Sequence, residues 1–67
     1  MRRPATPNNI NALLDRLERL PRLGAPLRRD PGIRSRLRLR AHLSREKYAT
    51  PWGELELLLR AELHDLL

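Results

Sequence analysis

The chain has 67 residues, with fourteen lysines and arginines against eight aspartates and glutamates, which gives a formal net charge of +6. It has no cysteine, which excludes disulfides and thiolate metal sites. A chain this short forms one domain at most and buries only about 60% of its unfolded surface. No apolar run is long enough to span a bilayer, so we expect a cytoplasmic protein with no membrane contact.

Composition favours helices throughout. Sixteen residues are leucine, and the chain has neither valine nor phenylalanine. Leucine, alanine, arginine and glutamate are good helix formers, whereas β-branched residues favour strands. So many leucines are hard to cover within one copy of so short a chain. The sequence therefore predicts an all-α fold, a small three-helix bundle in a single domain over 1–67, completed by homodimerisation.

Three capping residues precede prolines and predict where helices begin. They stand in the dipeptides Thr6-Pro7, Asp30-Pro31 and Thr50-Pro51. Proline suits the first helical position, and threonine and aspartate suit the position before it. We predict helices at about 7–20, 31–48 and 51–66, with residues 1–6 as a flexible basic arm.

The first and third predicted helices carry apolar residues three and four positions apart, which is one helical face. Such faces form the core of a bundle, and they can also form the interface of a dimer or of a complex with a target. The candidate interface residues are Ile10, Leu13, Leu17, Leu20, Trp52, Leu55, Leu59 and Leu63.

The middle segment, residues 33–43, has two interpretations. Apolar and basic residues alternate there, which is the period of a strand. The residue types themselves favour a helix. Helix is the favoured interpretation; the strand alternative requires a partner strand from a second copy, forming a basic two-stranded ribbon.

Basic residues concentrate in the middle of the chain and predict a surface for a polyanion. The first 49 residues contain thirteen basic and four acidic residues, whereas residues 50–67 contain one and four. Arginine binds phosphate oxygens through its planar fork and stays charged. The candidate nucleic-acid-binding residues are Arg28, Arg29, Arg34, Arg36, Arg38, Arg40, Arg45 and Lys47.

The expected partner is duplex DNA or structured RNA, bound by a small regulator or accessory factor. Tyr48 and Trp52 are the only aromatic residues, too few to stack a single strand. The predicted last helix is acidic, which argues against its use as a recognition helix in a DNA groove.

Other functions stay open or are disfavoured by the residues. The alternative function is a helical adaptor or inhibitor that docks its leucine-rich face on a larger protein, and an acidic protein surface is an alternative partner for the arginines. The arginines could also form a solvated face that keeps the chain soluble. No activated nucleophile or glycine-rich phosphate loop is present, so we expect no enzymatic activity, no metal and no cofactor.

Overall fold

The computed structural model describes residues 8–67, and the regular secondary structure of these residues is entirely α-helical, as the composition predicts. Helix α1 spans Ile10–Glu18, α2 spans Ala25–Arg29, α3 spans Pro31–Tyr48 and α4 spans Trp52–Asp65. The strand alternative for residues 33–43 is therefore wrong, since this segment lies inside α3. None of the four helices is both long enough and apolar enough to cross a membrane.

Helix α2 was not among the three helices predicted from the sequence. The predicted helices leave residues 21–30 as a connection, but within it Pro26 stands in the first turn of α2, where a missing N–H costs nothing. The side chains of Pro26 and Leu27 are buried, which fastens this short helix to the core. The described part of the chain therefore has four helices rather than three.

Helix α1 begins at Ile10, later than predicted. Asn9 has extended backbone and its side-chain Oδ1 accepts a hydrogen bond from the Ala12 N–H at 2.8 Å. It therefore caps the helix, as asparagine commonly does. The predicted basic arm at 1–6 and the predicted helix start at Pro7 lie outside the described residues.

Helix α3 begins as predicted from Asp30-Pro31, with the Asp30 carboxylate accepting from the Gly32 N–H at 2.9 Å. Helix α4 begins one residue after Pro51, and Thr50 does not cap it. The Thr50 hydroxyl instead lies 2.6 Å from the Ser44 Oγ and donates to the Ser44 carbonyl oxygen at 3.2 Å. Thr50 therefore fastens the corner between α3 and α4 back onto α3.

The core forms where α1 and α2 pack against the α3–α4 hairpin. Arg40 of α3 pairs with Glu62 near the end of α4, and the link between the helices is short, so the two helices run antiparallel. Seven leucines have less than 2% of their surface exposed: Leu13, Leu14, Leu17, Leu37, Leu55, Leu59 and Leu63.

The predicted interface residues lie in this core. Six of the eight are buried within a single chain, and Leu20 and Trp52 pack partly buried against it. Their apolar surface is thus covered without a second copy, because α1 and α4 meet on the same side of α3. Leu20 and Trp52 keep part of their surface exposed.

Helix α3 ends at Ala49, whose backbone conformation is one that glycine adopts more readily than alanine. Ala49 has φ 50° and ψ 38°, the left-handed region, where its Cβ is crowded. We expect Ala49→Gly to raise the free energy of unfolding by about 0.5–1 kcal/mol, which corresponds to a Tm increase of about 4 °C. Thermal unfolding followed by circular dichroism measures it. Ala61→Gly, at an exposed position inside α4, should lower stability by about 1 kcal/mol, and a gain there would contradict the explanation.

Candidate nucleic-acid interface

The alternating arginines of α3 do not form one basic ridge. A helix turns by about 200° over two residues, so every second side chain falls on the opposite flank. Arg34 pairs with Asp15 of α1, and Arg40 pairs with Glu62 of α4. Side chains four positions apart share a side of a helix, so Arg38 shares the α1 flank and Arg36 the α4 flank. A ridge expected from the alternation is therefore divided between two sides of the helix.

Arg34 joins α3 to α1. Its Nη2 lies 2.8 Å from the Asp15 Oδ1 and its Nη1 lies 3.1 Å from the Glu18 Oε1, and only 23% of its side chain is exposed. Two carboxylates thus compensate this guanidinium. It acts as a structural contact between helices and contributes little to an external anion site.

Arg40 and Arg45 are also engaged within the chain. The Arg40 Nε lies 3.2 Å from the Glu62 Oε1. The Arg45 Nη1 donates to the Thr50 carbonyl oxygen at 2.8 Å, and its guanidinium stacks 4.1 Å above the centre of the Trp52 ring. Arg45 therefore holds the α3–α4 corner through a hydrogen bond and a cation–π contact.

Arg28 caps the end of α1. Its guanidinium donates to the carbonyl oxygens of Glu18, Leu20 and Pro21 at 2.6, 2.9 and 2.8 Å. Glu18 is the last residue of α1, and the last carbonyls of a helix lack partners within it, so a cation satisfies this one and interacts favourably with the helix dipole. The other two carbonyls belong to the turn that follows α1. Carbonyl oxygens carry no net charge, and Arg28 therefore keeps its positive charge at an exposed position.

Four of the eight candidate residues are exposed and form neither an ion pair nor a side-chain hydrogen bond with residues 8–67. They are Arg29, Arg36, Arg38 and Lys47. The Lys47 Nζ lies 5.5 Å from the centre of the exposed Tyr48 ring. Arg29 stands beside Arg28 on α2, far along the chain from Lys47 at the end of α3.

Two arginines outside the predicted set join Arg28 and Arg29. Arg19 and Arg22 lie exposed in the turn between α1 and α2, and neither pairs with a carboxylate within the described part of the chain. We call these four residues the turn cluster. Residues 19–29 contain the cluster and no acidic residue. This signal is present in the sequence, but it is weaker than the alternation of arginines in 34–40, on which the prediction was based.

The turn cluster is exposed because the apolar residues between its members point inward. Leu23 and Leu27 are buried, and Gly24 lies directly against the last carbonyls of α1. The Gly24 N–H donates to the Leu20 carbonyl oxygen at 3.0 Å. The backbone of this turn is thus held in place, and Arg28 bonds back onto it. Arg19, Arg22 and Arg29 extend from this fixed support with no such contacts among residues 8–67.

The arrangement suits oxyanions. Exposed guanidinium groups without carboxylate partners are able to form charge-assisted hydrogen bonds to phosphate oxygens.

No protein-family model, curated protein or solved structure matches this chain.

Proposed function

We propose that this protein binds nucleic acid through the phosphate backbone, as a small regulator or accessory factor. The observation that carries the proposal is the turn cluster: four exposed arginines on a braced turn, with no acidic residue in their segment. Arg38, exposed on the α1 flank of α3, extends the same charge. The contact set therefore differs from the eight residues predicted from the sequence.

The four members of the turn cluster have two roles. Arg28 fixes the backbone through three carbonyl contacts, and it carries charge at the same time. Arg19, Arg22 and Arg29 have no such contacts among residues 8–67, so their forks remain available for phosphates. A support that is already ordered reduces the entropy lost on binding.

Duplex DNA or structured RNA suits this surface better than unpaired strands. Stacking of unpaired bases requires exposed aromatic faces. Trp52 is partly buried and one face of its ring is covered by Arg45, which leaves Tyr48 alone at the end of α3. Phosphate contacts without stacking predict binding with little dependence on base sequence.

The salt dependence of binding tests this proposal. Three to four phosphate contacts predict a slope of log K against log salt of about −3. We expect the variant Arg19→Gln/Arg22→Gln/Arg29→Gln to lose most of this slope, because each contact contributes about one unit. Fluorescence anisotropy with a duplex DNA oligonucleotide and an RNA hairpin, titrated over a range of salt, measures both quantities.

A matched control removes one charge elsewhere. Arg60 pairs with Glu56 on α4, so Arg60→Gln should leave the slope unchanged, whereas Arg22→Gln should lower it by about one. Binding with no salt dependence, or equal loss in both single variants, would exclude the turn cluster as the contact surface.

Protein binding is a second candidate, favoured by leucines that the core does not cover. Leu39, Leu43, Leu57 and Leu58 are exposed on the α3–α4 hairpin. An adaptor or inhibitor would dock these side chains on a larger protein. We also propose homodimerisation, expected from the leucine content, through such a surface, since six of the eight residues predicted for it are buried. A pull-down treated with nuclease separates partners held by protein contacts from those held by nucleic acid.

A further inference from the structure

One face of the α3–α4 hairpin is uncovered. Helices α1 and α2 pack on the opposite face, where the buried leucines lie. The uncovered face presents Leu39, 72% exposed, Leu43, 59% exposed, and Leu58, 42% exposed. Large apolar side chains that are grouped in this way mark interaction surfaces more often than single exposed leucines do.

Helix α3 presents a basic stripe on this face. Residues three and four positions apart share one side of a helix. The basic stripe, with a cation at each end and leucines between, consists of Arg36, Leu39, Leu43 and Lys47. Both cations are exposed and neither pairs with a carboxylate of residues 8–67. The stripe extends over about three helical turns.

Helix α4 presents an acidic stripe of the same length. With the same helical spacing, the acidic stripe consists of Glu54, Leu58, Ala61 and Asp65. An exposed carboxylate stands at each end, and neither forms an ion pair within the described range 8–67. Apolar side chains again occupy the centre. The two stripes therefore match in length and in the position of their apolar centres, and they are opposite in charge.

The register between the stripes is set within one chain. Because α3 and α4 are antiparallel, the Arg40–Glu62 pair marks residues at one level of the hairpin. Arg36 and Asp65 line the same groove at the open end of the hairpin. Counting from Arg36 and Asp65 along both helices places Leu43 level with Leu58, and Lys47 level with Glu54; the Arg40–Glu62 pair agrees with this register to within one residue.

We propose that this face binds a second copy of the chain, with the basic stripe of each copy on the acidic stripe of the other. This face thereby supplies the surface and the symmetry of the homodimer proposed above. A twofold axis parallel to the helices sets α3 against the antiparallel α4 of the second copy and keeps every residue at its level. Arg36 then faces Asp65 of the partner subunit, and Lys47 faces Glu54 of the partner subunit. The leucines between them form the centre of the interface.

Charge complementarity within the chain identifies the occupant as a second copy. An unrelated basic partner would suit only the acidic stripe, and an acidic partner only the basic one. A second copy satisfies both stripes at once, since a twofold interface uses one patch twice. The turn cluster lies on the helices that cover the other face, so dimerisation leaves it exposed on both copies.

Paired charge reversals test the proposal. Sedimentation velocity over a range of protein concentration should show the unaltered full chain forming dimers. Arg36→Glu/Lys47→Glu makes both stripes acidic, and Glu54→Lys/Asp65→Lys makes both basic. We expect each variant alone to dimerise at least about tenfold more weakly, because attractive pairs become repulsive. An equimolar mixture of the two should form a heterodimer, since every cross-pair is attractive again.

Two further variants keep the result specific. Arg38→Glu changes the charge as Arg36→Glu does but on the α1 flank, so it should leave dimerisation unchanged. The chain carrying all four reversals should dimerise again, which a merely misfolded variant could not do; circular dichroism checks the helical content of each.

Several results would overturn the proposal. They are an unaltered chain that stays monomeric at every concentration, a mixture that does not associate, and an Arg38→Glu variant that dissociates. The first two would leave the face to an unrelated partner. Nucleic-acid binding by the same variants is read separately in the anisotropy assay, so failure of one proposal is distinguishable from failure of the other.

Discussion

Leu59→Ala is expected to leave the protein largely unfolded at room temperature. Leu59 is 0% exposed in the centre of α4 and belongs to the only large core of the described residues. Truncating a buried leucine costs about 2–5 kcal/mol, because apolar contacts are lost and a cavity remains. A single core in a chain of this size rarely supplies more than about 3–5 kcal/mol. Urea denaturation followed by circular dichroism measures the loss.

Leu57 provides the matched control two residues earlier on the same helix. Its side chain is 66% exposed, so Leu57→Ala should change the free energy of unfolding by no more than about 0.5 kcal/mol. The comparison holds residue type, helix and substitution constant and changes only burial. Similar losses in both variants would contradict the placement of α4 against the core.

Gly24→Ala is expected to cost about 2–3 kcal/mol. A Cβ at this buried position would meet the Glu18 carbonyl oxygen, and it would lie 2.6 Å from the carbonyl oxygens of Leu17 and Leu20. These are backbone atoms at the end of α1, so relief requires the whole turn to move. Arg28 binds two of the same carbonyls, and we therefore expect the variant to disturb the turn cluster and weaken nucleic-acid binding as well.

Gly53→Ala serves as the control, because no atom lies within 4 Å of a Cβ at that position. Gly53 stands in the first turn of α4, where alanine is the better helix former, so stability should stay constant or rise by up to about 1 kcal/mol. Thermal unfolding and anisotropy on both variants give the comparison. A Gly24→Ala protein as stable as the unaltered chain would show that the turn has room to relax.

The sequence predicted those helices whose signals are local, namely the spacing of apolar residues and the capping residue at the helix start. The spacing of Leu13 and Leu17, and that of Leu55 and Leu59, marks the faces that are buried. Asp30 caps α3 because its carboxylate accepts from the Gly32 N–H, only two residues along the chain. Helix α2 was not predicted, because glycine and proline, here Gly24 and Pro26, commonly interrupt helices. In the structure, burial of the Pro26 and Leu27 side chains stabilises this five-residue helix.

The candidate site was harder to predict because it depends on distant neighbours. Nothing near Arg34 in the sequence indicates that Asp15 and Glu18 bind it, since that pairing exists only once α1 packs on α3. Arg45 likewise needs the corner to bring Trp52 beneath it. Two signals were nevertheless present in the sequence. Segment 19–29 has no acidic residue, and a spacing of two places Arg36 and Arg38 on opposite flanks of a helix.

The corner at Thr50 and Pro51 also limits how two copies are able to combine. Short connections favour domain swapping, in which a hairpin opens and one of its helices packs on a second copy of the chain. Straightening here would fuse α3 and α4 into one rod, but Pro51 has no N–H for the continuous helix and its ring disfavours helical backbone at Thr50. Pro51 therefore disfavours exchange of α4 through a fused helix, and the proposed dimer is a contact between two closed hairpins.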